Sequence, residues 1–265
     1  MLQKRIIPCL LLKDGLLVKT IQFQNPRHIG EPIYAIKIFN DYEVDELIIV
    51  DIMASRTVSK ENPARKPQLP LELISRISDE SCMPITYGGG ISSLEDCAQL
   101  FRAGIEKVCI NTNAIRNPQL IQDAAEEFGR QSIVVSIDTQ QQMNGSYRIM
   151  SNCGHTREDK WNPVAFALHV EEQGAGEILL NSIDRDGMMT GYNIPLIQSI
   201  TSEVHVPVIA LGGAGKMEDF SQAIHEGGAS AVAAGSMFVY FGRKKAILIN
   251  YPSREEIEVI INFHN

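Results

Sequence analysis

The sequence repeats itself at half of its length. A segment that begins at Pro84, PITYGGGISSLEDCAQLFRAG, has a counterpart that begins at Pro207, PVIALGGAGKMEDFSQAIHEG. At a constant offset of 123 residues, the positions that are identical in the two copies include Pro84, Gly89, Gly90, Glu95, Asp96 and Gly104. Such a repeat indicates a structural unit that is used more than once. The chain is therefore expected to fold from two equivalent halves.

Each half reads as strands that alternate with helices. The short apolar runs are RIIPCLLL, ELIIVDI, PITYGGG, KVCINT, SIVVSID, EILLNSID, PVIALGG and SAVAAGS, and longer amphipathic segments separate them. Ser93 to Gly104, for example, has a serine cap, acids in the first turn and a terminal glycine, as a helix requires. Alternating apolar strands and helices are typical of a parallel sheet buried on both faces. Eight units predict an α/β fold, a closed (β/α)8 TIM barrel forming one domain over residues 1–265.

Three segments stand apart from this alternation. Lys4 to Gly15 starts like a secretory leader, but Lys13 and Asp14 interrupt its apolar run and no A-x-A site follows, so a strand is expected. Gln140 to Met150 contains the hairpin signal Asn144-Gly145, which predicts a small β-ribbon after the fifth strand. Ser55 to Pro70 is rich in proline and charge and is expected to be a surface loop.

Composition excludes several classes of partner. The net charge is -8 and no lysine and arginine cluster is visible, so no nucleic-acid partner is expected. No apolar run approaches the roughly 18 residues of a membrane helix, which predicts a cytoplasmic protein. Five cysteines form no C-x-x-C pair, so reduced thiols are expected, with Cys9 and Cys109 as buried apolar residues. We predict neither a metal site nor a cofactor.

The duplicated glycine clusters are candidates for phosphate binding. Each follows a strand and precedes a helix, where backbone N–H groups and the helix dipole favour an anion. In each half, the next strand then ends in small polar residues. The predicted phosphate contacts are Gly89, Gly90, Asn111 and Thr112 in one half, and Asp186, Gly187, Gly212, Gly213, Gly235 and Ser236 in the other. The alternative, that the clusters are paired structural turns, stays open.

Aspartates at strand ends are the candidate acid–base groups. Asp51, Asp138 and Asp184 occupy such positions, and the alternative for each is a cap on its loop. In the repeat, the first strand corresponds to the fifth, so that Leu11 falls where Asp138 stands. Leucine can accept no proton, and therefore a symmetric aspartate pair across the barrel mouth is excluded.

These motifs resemble the cyclase subunit of imidazole glycerol phosphate synthase along nearly the whole chain. The shared stretches are KRIIPCL, KDG, DELIIVDI, GGGI, INT, GAGEILL, SIDRDG and GGAGKMEDF. The resemblance implies a barrel that receives ammonia from a glutaminase at its N-terminal face and uses it at the opposite end to cleave and cyclise a ribonucleotide with two phosphates. It also implies catalytic aspartates at positions 11 and 138, of which this chain has only Asp138. The departures near the ligand end are Leu11, Thr20, Met53, Tyr87, Asn181 and Leu211.

A second resemblance is to the cyclase-like barrel subunit that accompanies a glutaminase and a sugar amidotransferase in acetamidino-sugar synthesis for bacterial surface polysaccharides. It is carried by PCLLLKD, LLVKT, ASR, TYGGG and ILINYP. At the N-terminal rim, Arg5, Glu46, Lys107 and Glu177 each precede an apolar strand. The resemblance to the cyclase subunit of imidazole glycerol phosphate synthase implies that these four form the salt-bridged gate of an ammonia channel, and the alternative is ordinary solvated strand starts.

Three functional hypotheses follow. The first is a barrel that docks a glutaminase and passes ammonia to a sugar amidotransferase in O-antigen lipopolysaccharide synthesis, contributing little chemistry itself. The second is a true cyclase of histidine biosynthesis, in which another group replaces Leu11. The third is a phosphate-binding scaffold without a channel. Leu11 separates the first two hypotheses, and the four gate residues argue against the third.

Overall fold

The structure is a computed structural model that describes residues 4–54 and 69–262. The predicted loop from Ser55 to Pro70 lies outside the described residues except for its last two positions. The strands are β1 (Arg5–Lys13), β2 (Leu16–Ile21), β3 (Gln24–Gly30), β4 (Leu47–Asp51), β5 (Ile85–Gly88), β6 (Lys107–Ile110), β7 (Ile133–Gln141), β8 (Tyr147–Ser151), β9 (Thr156–Glu158), β10 (Glu177–Ser182), β11 (Val208–Leu211), β12 (Ala231–Ala234), β13 (Tyr240–Phe241) and β14 (Ala246–Ile247).

Within the described residues, eight parallel strands close into a barrel in the order β1, β4, β5, β6, β7, β10, β11 and β12, and β12 pairs with β1. The helices are α1 (Pro32–Asp41), α2 (Leu71–Glu80), α3 (Leu94–Arg102), α4 (Thr112–Arg116), α5 (Gln119–Phe128), α6 (Pro163–Glu172), α7 (Ile194–Thr201), α8 (Met217–His225), α9 (Ser236–Val239) and α10 (Arg254–Asn262). The predicted (β/α)8 barrel is confirmed. No helix in these described ranges is long and apolar enough to cross a membrane.

The barrel has two apolar cores because successive strand residues point to opposite faces. The larger core lies between the sheet and the helices. The smaller core fills the barrel interior and consists of Ile7, Cys9, Ile48, Cys109, Val134, Leu179, Ile209, Ala231 and Ala233. Cys9 and Cys109 are buried there, as predicted, and burial raises the pKa of the Cys9 thiol to about 11.

Helix capping explains part of the half-length repeat. The side chain of Ser93 accepts a hydrogen bond from the backbone N–H of Asp96 at the start of α3. The carboxylate of Asp96 accepts the backbone N–H of Ser92 at 2.8 Å, and Asp219 accepts that of Gly215, also at 2.8 Å. The two donors, Ser92 and Gly215, are 123 residues apart, and so are the two acceptors, Asp96 and Asp219. This separation equals the offset of the repeat. The repeated aspartates therefore fix the entry into equivalent helices.

Two hairpins extend the barrel at its C-terminal end. The predicted ribbon is confirmed, since β7 pairs with β8 and β8 with β9, all antiparallel. The hairpin of β2 and β3, which follows β1, was not predicted. Gln22 at its tip donates its backbone N–H to Asp186 O at 2.9 Å and its side-chain amide to Asp184 O at 2.8 Å. This hairpin therefore reaches from the first barrel strand to the loop after β10.

Candidate functional site

The C-terminal ends of the barrel strands surround a cavity of about 120 Å³. The acid–base and phosphate candidates that line the cavity are Asp51, Gly89, Gly90, Asn111, Thr112, Asp138, Asp186 and Gly235, and Leu11 lines it as well. Gly187, Gly212, Gly213 and Ser236 are not among its lining residues. The structure thus brings the first-half phosphate candidates together with Asp138, whereas only part of the second-half set reaches the same space.

Asp138 is the central polar group of this cavity. It lies in β7 and is 8% exposed. Burial raises the pKa of its carboxyl to about 7, against hydrogen bonding from Ser136 and Asn181 that favours the ionised form. Ser136 Oγ donates to Asp138 Oδ1 at 3.1 Å. A carboxyl that titrates near neutral pH can both take up and release a proton, as general acid–base chemistry requires.

Leu11 lies on the wall of the same cavity, contributed by β1. Leu211 of β11 adds a second apolar side chain to the lining. Neither side chain can donate or accept a proton. The cavity mouth therefore has a carboxyl group at Asp138 and none at position 11, which is the asymmetry that the repeat predicted.

A buried lysine, which was not predicted, belongs to the site. Lys19 of β2 is 7% exposed, and its Nζ donates to Cys9 O at 2.5 Å. Burial lowers the pKa of this ammonium group, while the nearby Asp186 opposes that shift. Thr20 Oγ1 donates to Asp186 Oδ2 at 3.1 Å. A Cβ at Gly235 would lie 1.9 Å from Lys19 Nζ, so the glycine provides the space for the lysine.

The duplicated glycines satisfy a steric requirement that is the same in both halves. Gly89 has φ +114, and a Cβ there would lie 2.4 Å from Asp51 O at the end of β4. Gly212 has φ +92, and a Cβ there would lie 2.6 Å from Ser182 O at the end of β10. The positive φ values and these close approaches account for glycine at both turns without a bound ligand. Phosphate binding at these turns stays a prediction.

The other strand-end aspartates hold loops in place. Asp51 Oδ1 accepts the backbone N–H groups of Met53 and Ala54 at 2.8 and 3.2 Å. Asp184 Oδ2 accepts the backbone N–H of Gln141 at 2.6 Å. Both arrangements match the loop-cap alternative, which leaves Asp138 as the stronger candidate for acid–base chemistry.

The opposite end of the barrel contains a ring of four charged residues. Arg5 bonds to Glu46 and, at 2.8 Å, to Glu177, while Lys107 Nζ lies 3.1 Å from a carboxylate oxygen of each glutamate. Thr86, which was not predicted, donates to Glu46 Oε1 at 2.8 Å. Burial alone would lower the pKa of Arg5, but the carboxylates of Glu177 and Glu46 outweigh it and raise that pKa. The four predicted gate residues therefore form one connected ion-pair network rather than separate solvated strand starts.

Two of the departures near the ligand end do not line the cavity. Tyr87 is 1% exposed and packs in the core between the sheet and the helices, outside the cavity lining. Met53 is also not a lining residue. Thr20, Asn181 and Leu211 do line the cavity. Tyr87 faces the helices because the inward positions of β5 are Thr86 and Gly88, on either side of it.

Comparison with known proteins agrees with this architecture. A family model described as "Histidine biosynthesis protein" matches residues 5–245. Imidazole glycerol phosphate synthase subunit hisF2 of Pseudomonas aeruginosa, a provisional name, is 48% identical over 98% of this chain and 100% of its own. Subunit HisF of Leptospira interrogans, also provisionally named, is 44% identical over 98% of this chain and 99% of its own. Imidazole glycerol phosphate synthase subunit HisF of Hyphomonas neptunium is 44% identical over 91% and 92% of the two chains.

Proposed function

The chain belongs to the histidine biosynthesis protein family, among relatives of the imidazole glycerol phosphate synthase cyclase subunit, and we propose that it uses ammonia from a separate glutaminase to convert a ribonucleotide with two phosphates. The observation that carries the proposal is Asp138, a buried carboxyl with a pKa of about 7 in the cavity at one end of a barrel whose other end holds the charged ring. The names of the relatives support this function.

The barrel interior suits the passage of neutral ammonia. Between the ring and the cavity it is lined by apolar groups, among them Cys9, Ala231 and Ala233. Moving an ion into such surroundings is costly, whereas a small neutral molecule loses much less on leaving water. The proposed function requires ammonia from the ring to pass between these apolar groups to Asp138, which then exchanges the protons that the reaction releases or requires.

A second function is favoured by Leu11. A barrel without the second carboxyl can deliver ammonia to a separate sugar amidotransferase that amidates a nucleotide sugar for surface polysaccharide such as O-antigen. None of the three relatives' names refers to such a sugar, so we place this function second. The connected ring supports either function over a phosphate scaffold without a channel.

The role of the ring predicts a specific loss in Lys107→Ala. With a glutaminase that binds the N-terminal face, glutamine-dependent product formation should fall while the rate with ammonium salt is retained, because ammonia escapes before entering the barrel. The control is Lys37→Ala, which removes a lysine that is 54% exposed and lies 3.5 Å from Glu80 on the surface. Unchanged docking and unchanged ammonia transfer in Lys107→Ala would show that the ring is not a gate.

The glycine turns predict anion binding. Inorganic phosphate titrated into the protein should release or absorb heat in calorimetry, and the ribonucleotide should compete with it. Thr112→Val provides the comparison, because it removes a hydroxyl from the cavity wall at the start of α4. It should weaken phosphate binding by about 5–10-fold, the equivalent of one hydrogen bond. If calorimetry detects no heat and a phosphate-soaked crystal shows no phosphate at the glycine turns, the assignment is contradicted.

A further inference from the structure

Asn181 has a buried oxygen atom for which the fold supplies no donor. Among the described residues, two buried side-chain polar atoms lack a hydrogen-bond partner, and they are the hydroxyl of Tyr87 and Oδ1 of Asn181. Tyr87 packs in the core outside the barrel. Asn181 is 5% exposed and lines the cavity. A buried acceptor without a donor costs roughly 1–3 kcal/mol, so such a group needs a reason.

The unpartnered oxygen lies beside the acid–base carboxyl. Neighbouring strands β10 and β7 pair Asn181 with Asp138 in register, and both side chains line the cavity. One layer deeper, Leu179 belongs to the apolar interior. Oδ1 of Asn181 lies 2.7 Å from the position that a Cβ of Gly212 would occupy, so only glycine at position 212 leaves room for this oxygen. An amide oxygen without a donor and the acid–base carboxyl, to which the same amide donates, therefore lie on neighbouring strands where the apolar interior ends and the cavity begins.

The groups around these acceptors restrict what can satisfy them. Lys19 Nζ is bonded to Cys9 O, and Ser136 Oγ and the amide N–H of Asn181 already donate to Asp138. Leu11 and Leu211 on the cavity wall offer no donor. The ligand must therefore bring more than one donor of its own, and it must be small because Asn181 and Asp138 are almost fully buried. Ammonia is as small as water, has three N–H donors and one lone pair, and so meets both conditions.

We propose that Oδ1 of Asn181 and the carboxylate of Asp138 together form a binding site for ammonia or ammonium at the inner edge of the cavity. The site rests on the proposed function, which supplies ammonia from the ring end. Two N–H groups bond to the two acceptors, and the lone pair of ammonia is left to face the rim. Asn181 thereby fixes the orientation of the nucleophile before it attacks.

Binding can be tested without any turnover. Carbon-13 NMR of labelled aspartate carboxyls should follow the titration of Asp138 in ammonium chloride and, at equal ionic strength, in sodium chloride. Bound ammonium stabilises the carboxylate, so ammonium should lower the pKa of Asp138 more than sodium does, and the shift should saturate. Asn181→Leu, which keeps the side-chain size but removes both the acceptor and the amide donor to Asp138, should abolish the difference between the two salts. Asn181→Ala serves the same purpose if the leucine variant does not fold.

Ser136→Ala is the matched control. It removes a hydrogen bond to the same carboxylate but leaves Oδ1 of Asn181 in place, so the difference between the two salts should persist. A salt difference that is absent in the unmodified protein, or equal in Asn181→Leu, would overturn the proposal.

Kinetics separate this proposal from the function on which it rests. In Asn181→Leu, the KM for ammonium should rise about 5–10-fold, as expected for one lost hydrogen bond, while the KM for the ribonucleotide stays the same. An ammonium-specific NMR shift without any product would remove the function and keep the binding site. Asp138-dependent product with unchanged ammonium KM in Asn181→Leu would remove the binding site and keep the function.

Discussion

Asp138→Asn is expected to make the protein more stable at pH 8 while lowering product formation by about 10²–10⁴-fold, the usual contribution of a general acid–base group. The pKa of this carboxyl is raised from 3.8 to about 7 in the folded protein. Its protonated form therefore stabilises the fold fully below about pH 4, and this contribution is lost as the pH rises through 7. Asparagine avoids the loss, so the gain at pH 8 should be on the order of 4 kcal/mol at most.

Chemical denaturation at several pH values measures this effect. The unfolding free energy of Asp138→Asn should exceed that of the unmodified protein at pH 8, and the two should converge near pH 4. Asp123→Asn makes the same chemical change on the exposed surface of α5 and should alter stability by no more than about 0.5 kcal/mol at either pH. If Asp138→Asn is less stable than the unmodified protein at pH 8, burial does not disfavour the ionised form of the Asp138 carboxyl.

Glu46→Ala should be strongly destabilising. The side chain of Glu46 is 3% exposed and accepts hydrogen bonds from Arg5, Thr86 and Lys107. Removing it leaves two partly buried cations with Glu177 as their remaining anion in the ring. Removing one partner of a buried ion pair typically lowers the free energy of unfolding by about 3–5 kcal/mol, because the remaining charge is uncompensated.

The double variant Glu46→Ala/Lys107→Ala tests that explanation. It restores the balance of one cation and one anion in the ring, so it should be less destabilised than the sum of the two single variants. Thermal unfolding of the three variants and the unmodified protein gives the coupling. Additive losses would mean that the four charges do not act as one network.

Short-range patterns were sufficient to predict the barrel and to place the four charged residues at one rim, whereas their joining into a ring was implied by the family resemblance. Apolar strands mark the sheet, and a residue directly before a strand must lie at the N-terminal rim. Arg5, Glu46, Lys107 and Glu177 could therefore be placed at one end without knowing any distance. Their connection through Thr86 is a contact between strands, which the pattern of one strand does not contain.

Lys19 shows what local patterns miss. A lysine in an apolar strand usually points to solvent, and its burial here depends on the missing side chain of Gly235, far away in the sequence. The hairpin that carries Lys19 did have a local signal in the sequence, which is the pair Asp14-Gly15 in the turn after β1. Both residues adopt positive φ, of 52° and 79°. Asp-Gly pairs favour such turns. Tyr87 shows how closely a strand fixes the surroundings of a residue near the ligand end, because a shift of one position exchanges the two faces.

The most direct test of the central claim is the rate at which the unmodified protein forms product from ammonium salt and the ribonucleotide. The two references are Asp138→Asn and a family member that has aspartate at the position of Leu11. We predict a rate about 10²–10⁴-fold below that family member, because one of two acid–base groups is missing, and clearly above that of Asp138→Asn. A rate within about tenfold of the family member would contradict the importance given to Leu11. A rate equal to that of Asp138→Asn would contradict the cyclase function itself and would favour ammonia delivery to a separate sugar amidotransferase.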